Sequence, residues 1–479
     1  MTRIACLLLS LITPPIYASA NSDFDAYVNE RMAHHQVVGS TIVLIEDLQI
    51  KHAVYSGLLS ANDDREVTSD TVFQVGSVSK PVAAWTAMSL VESEQLDLDA
   101  PISNYLSQWE IPDSEYDENQ VTLRRLLSHT AGLSLGGYPG FVRGKRLPST
   151  AESLAGDTGG SGSVFLFQEP GSGFSYSGDG YTLMQLVIEE VTGREFSDVA
   201  ESEVLQPLGM ASSSYAPSSE LKSRQASPHG RRHDAVCDHD FRAQAAASLH
   251  TTGEDIARFA IANMTANPVL RPETVQLMHT PITKIDTRSI GLGFFVGLDG
   301  QSVGHGGSNI GWKAVLEFNP KTGDGIVIMT NSESGGGFGF DIVCRWDRDF
   351  GPKLRQAQCE EIVADQQGQQ SLFRFISLGL FALAGMILAA IVFGVTRKKM
   401  TLQNLDTRLR EAGFVITLLV ALGGGLFFLT PIGAYLAAGV WQFFPTVDYL
   451  PQGSTGIVWA GISLCVALLF LCFAKRRAT

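Results

Sequence analysis

The stretch Phe73-Gln74-Val75-Gly76-Ser77-Val78-Ser79-Lys80-Pro81-Val82-Ala83-Ala84-Trp85-Thr86-Ala87-Met88-Ser89-Leu90-Val91 decides how the rest of the chain is read. From Pro81 onward it makes a helix that is apolar on nearly all sides, and such a helix is central and buried. Whatever sits at its N-terminus is held rigidly, and Ser77-Val78-Ser79-Lys80 sits there. A hydroxyl and an amine three residues apart on a first helical turn share one face, within side-chain reach. Serine is a weak nucleophile until a neighbour takes its proton. A lysine amine can do so when burial and nearby cations lower its pKa. The helix N-terminus also aims backbone N–H groups at any oxyanion formed there.

Working outward, strand-like segments flank this helix at a distance. Thr41-Ile42-Val43-Leu44-Ile45 and His52-Ala53-Val54-Tyr55 read as a hairpin. Gly293-Phe294-Phe295-Val296, Ala314-Val315-Leu316-Glu317-Phe318 and Gly325-Ile326-Val327-Ile328-Met329 read as three more strands, with Pro320-Lys321-Thr322-Gly323 as a turn. Residues 81–275 between these sets are mainly helical patterns and glycine-rich loops. The pattern implies an α/β domain: an antiparallel sheet covered by helices, with a helical insertion.

Two further motifs follow the serine in chain order. Phe174-Ser175-Tyr176-Ser177-Gly178-Asp179-Gly180-Tyr181 opens a helix running to Gly193, and His305-Gly306-Gly307 precedes a strand-like segment from Trp312. The order Ser-x-x-Lys, Tyr, His-Gly-Gly resembles that of the serine penicillin-recognising enzymes. Phe73-Gln74-Val75-Gly76, Leu126-Leu127-Ser128-His129-Thr130-Ala131-Gly132-Leu133 and Leu205-Gln206-Pro207-Leu208-Gly209-Met210 extend the likeness. Residues 24–335 thus resemble the β-lactamase-related serine hydrolases, which include class C β-lactamases, D-alanyl-D-alanine carboxypeptidases and family VIII-type esterases. The resemblance implies the β-lactamase/transpeptidase-like fold and an acyl-enzyme mechanism on a small-molecule or peptide substrate, with no metal or organic cofactor.

The resemblance also implies roles. Ser77 would be the acylated nucleophile, Lys80 its proton acceptor or electrostatic activator, and Tyr176 the group that protonates the leaving group and later activates water. Which of Lys80 and Tyr176 is the base stays open. The N–H groups of Ser77 and Ser308 would form the oxyanion hole, with Gly307 beside them. Two positions depart from the β-lactamase pattern. Gly178 stands where those enzymes carry an asparagine, and His305 where they carry a lysine facing the substrate carboxylate. Both point toward the esterase and peptidase-like branches. An acylated sensor that does not turn over, or a non-hydrolytic membrane protein, is the alternative reading.

Rival motifs are weaker on context. Ser219-Glu220-Leu221-Lys222 repeats Ser-x-x-Lys in a polar stretch without a buried helix. Gly300-Gln301-Ser302-Val303-Gly304 matches a nucleophile elbow but lies between strands, where no strand-to-helix turn exists. His233, Cys237 and His239 lack tetrahedral metal-site spacing, and His129 reads as a hydrogen-bonded structural residue.

Composition bounds the whole. The 479 residues are 45% hydrophobic and 18% charged, with 35 Lys plus Arg against 49 Asp plus Glu. A formal charge of −14 argues against nucleic-acid binding, which needs clustered cations. Residues 1–20 read as a secretory signal, with Arg3, an apolar run and Ala18-Ser19-Ala20. The hydrolase domain is placed at 24–350, and 351–371 reads as a polar linker. Runs at 375–395, 413–435 and 456–474 are long enough to span about 30 Å of hydrocarbon as helices. Arg397, Lys398, Lys399, Arg408 and Arg410 follow the first run, and Lys475, Arg476 and Arg477 follow the third. The positive-inside rule then places 397–411 and the tail in the cytoplasm and the hydrolase domain outside. Of the six cysteines, Cys344 and Cys359 are the expected pair in an oxidising compartment, leaving Cys237.

Overall fold

The computed structural model describes residues 16–134, 140–156, 162–231, 233–285, 288–297, 300–397, 400–402 and 474–476. The chain divides into two compact units, 1–354 and 355–479. Among the described residues, the first unit is built on a nine-stranded antiparallel sheet. Its strands are β1 (Gly39–Glu46), β2 (Gln49–Ser60), β3 (Asp63–Glu66), β4 (Thr283–Ile285), β5 (Arg288–Ile290), β6 (Phe295–Gly297), β7 (Val303–Asn309), β8 (Trp312–Asn319) and β9 (Asp324–Thr330). Their order across the sheet is β3-β2-β1-β9-β8-β7-β6-β5-β4. The N-terminal hairpin therefore pairs with the last strand, Ile42 opposite Ile328 and Val43 opposite Val327.

Alternation along β1 and β9 explains the layers. Val43, Ile45, Val327 and Met329 face one core, while Ile42, Leu44, Ile326 and Ile328 face another. Strands buried on both sides read as continuous apolar runs, as 41–45 and 325–329 do. The second face is covered by α1 (Ile16–His35), through Phe24, Val28 and Met32, and by α5 (Gly335–Asp349), through Phe338, Ile342 and Trp346. The first face carries the helical insertion, centred on α2 (Ser79–Glu92), α3 (Gly178–Thr192) and α4 (Gly253–Ala262). Val82, Ala83, Ala84, Trp85 and Ala87 of α2 are fully buried. Trp85 Nε1 donates to Asn263 Oδ1 at 3.2 Å, so its one polar atom is satisfied. Burying each large side chain of this helix contributes about 1.5–3 kcal/mol, which anchors the serine at its head.

The expected sheet, hairpin and central helix are present. Three elements differ from the sequence reading. The His305-Gly306-Gly307 segment is itself a strand, β7, and both α1 and Gly335–Asp349 are helices that the pattern did not announce. The polar stretch expected as a linker is largely helical from Gln356, the start of a 41-residue helix α6 (Gln356–Thr396). The first proposed span, 375–395, falls within α6. The second and third lie outside the described residues except for Ala474, as do residues 1–15 of the expected signal. Among the described residues no helix is long and apolar enough to cross a membrane. Within the second unit, Met400–Leu402 pairs antiparallel with Ala474–Arg476, Thr401 opposite Lys475. Cys344 and Cys359 are each disulfide-bonded, and Cys237 is a free, exposed thiol.

Candidate active site

Ser77 lies in a short 3-10 turn, Gly76–Val78, that runs into α2. Gly76 adopts φ +51°, and a Cβ there would stand 2.7 Å from Ser308 N, so glycine is required on both counts. The turn is stapled by Ser79, whose Oγ donates to Gly76 O at 2.6 Å and accepts from Leu249 N at 2.9 Å. The same close approach at Gly76 puts the Ser308 backbone N–H next to the nucleophile.

Lys80 is only 2% exposed. Its Nζ donates to Ser77 Oγ at 3.2 Å and to Ala246 O at 2.9 Å, and lies over the rings of Tyr176 (4.9 Å) and Tyr181 (5.4 Å). Burial pushes its pKa down to about 7, because the charged form loses water and gains no carboxylate. An amine poised there can hold or release a proton at neutral pH.

Tyr176 is fixed from both sides. Ser175 N donates to His129 O at 2.8 Å, and Ser177 N donates to His129 Nδ1 at 3.1 Å. Ser177 Oγ caps α3 by accepting from Gly180 N at 3.0 Å. The Tyr176 hydroxyl then donates to Ser77 Oγ at 2.9 Å. Burial raises this phenol above its ordinary range, so it stays protonated near neutrality. His129 packs its ring 4.3 Å from that of Tyr176. Burial, with Lys80 and His305 nearby, holds His129 neutral. It positions the tyrosine loop and makes no contact with Ser77 among the described interactions.

The third wall is β7. A Cβ at Gly307 would collide with Val75 O, so the strand packs directly on the nucleophile turn. His305 points to the same face, two residues away along the pleat. Its ring lies 5.0 Å from that of Phe295 and 6.3 Å from that of Tyr176, and Nδ1 is 2.6 Å from Gly306 O. Burial, then Lys80, pushes His305 down to about 3. Ser308 Oγ accepts from Lys313 Nζ at 2.7 Å, and Lys313 pairs with Glu333 at 2.6 Å. Asn309 Nδ2 donates to Gln74 Oε1 at 2.6 Å and Ala247 O at 3.0 Å, tying the strand end to the short helix Gln244–Ala247, whose Ala246 carbonyl holds Lys80.

Ser77, Lys80, Tyr176, His305, Gly307 and Ser308 therefore come together, and Gly178 opens α3 two residues after Tyr176. The rival motifs lie elsewhere. Ser219 and Lys222 sit on a short helix, with Lys222 Nζ 4.0 Å from Asp240. Ser302 is in the connection between β6 and β7, where Gly297 N donates to its carbonyl. His233 Nε2 bonds Gln36 O, while Asp238 pairs with Arg143 at 2.6 Å, so that segment is tied into separate contacts. The sequence reading missed Ala246, Phe295 and the Lys313–Glu333 pair. A backbone acceptor carries no side-chain signal, and Lys313 reaches Ser308 only through the β7–β8 register, in which the two are opposite.

The chain is similar to several known proteins. Penicillin-binding protein 4 of Amycolatopsis lactamdurans is 31% identical over 208 residues, covering 43% of this chain and 51% of that protein. Esterase EstB of Burkholderia gladioli is 29% identical over 207 residues, covering 40% and 51%. The chain thus spans about half the length of these curated relatives. A class C beta-lactamase structure superposes with TM-score 0.57 at 20% identity, covering 69% of this chain and 97% of that one, which is a likeness of fold. The family model described as Beta-lactamase matches residues 24–342, a range that holds every site residue named above. On that match, the chain belongs to the beta-lactamase family.

Proposed function

We propose that this chain is an exported, membrane-tethered serine hydrolase that cleaves an uncharged ester or peptide-like amide through an acyl-enzyme on Ser77. The observation that carries it is the convergence of Lys80 Nζ and Tyr176 OH on Ser77 Oγ, at 3.2 and 2.9 Å. Neutral Lys80 takes the Ser77 proton as Oγ attacks the acyl carbon. The N–H groups of Ser77 and Ser308 receive the oxyanion. As the tetrahedral species collapses, Tyr176 gives its proton to the leaving group and is reprotonated from the Lys80 ammonium. Water then attacks the acyl carbon as Tyr176 takes its proton and passes its own to Lys80; when the second tetrahedral species collapses, the Lys80 ammonium returns that proton to Ser77 Oγ and the acid product leaves.

Substrate preference follows from Gly178 and His305. Gly178 brings no side-chain amide for an acylamido group, and neutral His305 brings no cation for a carboxylate. A charge-assisted hydrogen bond contributes about 1.5–3 kcal/mol, so losing one costs roughly tenfold to more than a hundredfold in transition-state binding. Short esters and D-amino-acid amides should outperform cephalosporins, measured as kcat/KM on the purified chain. A cephalosporin turned over faster than every ester and amide tested would overturn this preference.

Three features support the tether. The second and third sequence runs, outside the described residues except for Ala474, are apolar over spanning length, and the positive-inside pattern is consistent. Phe375, Leu378, Met386, Val392 and Phe393 on α6 are exposed, as lipid-facing side chains are. Pairing of Met400–Leu402 with Ala474–Arg476 joins the segments that follow the first and third runs, which the three-span topology puts on one side. A reporter active only outside the cytoplasm should work when fused after Gly351 and fail after Met400. Activity at Met400 would contradict the topology.

A further inference from the structure

We infer that the site selects a leaving group bearing a neutral hydrogen-bond donor, a hydroxyl or an amide N–H, and that the Nε2 lone pair of His305 receives it. The inference rests on the serine-hydrolase reading and names the substrate class within it.

A carbonyl oxygen can only accept, so the 2.6 Å contact between His305 Nδ1 and Gly306 O fixes a proton on Nδ1. Burial beside Lys80 keeps the ring neutral at pH 7, which leaves Nε2 bare. His305 is 5% exposed, and Nε2 is a buried atom with no hydrogen-bond partner among the described residues. Buried acceptors are normally paired, so this one is matched to something the substrate brings.

Its place says which part of the substrate. The ring lies between those of Phe295 and Tyr176, on the face of β7 that packs on the nucleophile turn. Tyr176 serves the leaving group in the mechanism above, so Nε2 meets that half of the substrate. A leaving-group carboxylate would face a lone pair there. The neighbouring cations are engaged: Lys80 with Ser77 and Ala246, Lys313 with Ser308 and Glu333, and Arg288 over the Phe295 ring at 4.3 Å. The position that reads as a carboxylate anchor in the β-lactamase pattern is thus an acceptor in this chain.

The test uses the full chain and two matched pairs: 2-hydroxyethyl butyrate against 2-methoxyethyl butyrate, and N-acetyl-D-alanyl-D-alanine amide against the corresponding acid. p-Nitrophenyl butyrate reports acylation independently. Leaving a buried acceptor unpaired weakens transition-state binding by about fivefold to a hundredfold. The donor-bearing member of a pair should therefore have the higher kcat/KM by that factor. His305→Leu should bring the hydroxyl-to-ether ratio near one, His305→Gln should keep part of it through its carbonyl, and His305→Lys should favour the acid over the amide. Nitrogen NMR at neutral pH should show the His305 proton on Nδ1. A preference confined to one pair supports the inference and identifies the donor. Equal rates within both pairs, with p-nitrophenyl butyrate still hydrolysed, overturn the inference alone, as does a proton on Nε2. Failure of p-nitrophenyl butyrate to acylate Ser77 overturns the hydrolase reading, and the inference with it.

Discussion

Ser77 has two neighbours that burial drives in opposite directions: Lys80 toward release of its proton, Tyr176 toward keeping it. Near neutrality the amine is then the available base and the phenol the available acid, the roles that the proposed mechanism gives them. Because Lys80 sits at about 7, kcat/KM on an uncharged ester should rise about tenfold per pH unit below that value and level off above it. His129 and His305 add no step there, both being held neutral. Lys80→Ala should erase this limb and slow turnover roughly 10²–10⁴-fold. A profile that still rises through pH 7 in that variant would remove Lys80 as the titrating group. The linkage runs the same way: with its folded pKa below the ordinary 10.5, unfolding takes up a proton between those values, so this site's contribution to stability grows as pH rises through the window. At this scale the sequence was readable, since Ser77 and Lys80 share one helical turn and Tyr176 and His305 each sit in a short motif. The Lys313–Glu333 pair was not, because it exists only through strand register and a distant loop.

Among the elements, β7 shows why local pattern reading stops short. Gly304-His305-Gly306-Gly307-Ser308 has neither apolar alternation nor β-branched residues, so nothing local marks a strand. The strand is imposed from outside, by pairing with β8 and by contact with the nucleophile turn. The helix Gly335–Asp349 was hidden for a similar reason: it begins with three glycines, poor helix formers that tertiary packing overrides. By contrast α2, apolar on nearly all sides, and the β1–β2 hairpin were legible because burial pattern and local preference agree. The packing on β7 gives a test. A methyl at Gly307 would strike Val75 O, whereas one at Gly306 meets nothing within 4 Å. Overpacking costs about 1–3 kcal/mol, so Gly307→Ala should lower Tm by several degrees and depress ester hydrolysis far more than Gly306→Ala does. Equal effects in thermal melts and kinetics would mean that β7 does not press on the turn.

The whole chain joins a family domain, with its site at the meeting of sheet and helical insertion, to a second unit whose α6 exposes large apolar side chains. In the sequence, the apolar runs after residue 375 and the Lys and Arg residues beside them set this second part apart. The stretch read as a linker is helical from Gln356, in keeping with its glutamines and glutamates, which are good helix formers. One covalent bond, from Ser77 Oγ to the acyl group, decides the chemistry of the chain. Mass spectrometry of the purified chain after reaction with a fluorophosphonate should place a single adduct on Ser77. Ser77→Ala should abolish it, while Ser219→Ala and Ser302→Ala should leave it intact. An adduct that persists in Ser77→Ala, or that maps to another serine in the wild-type chain, would contradict the central claim.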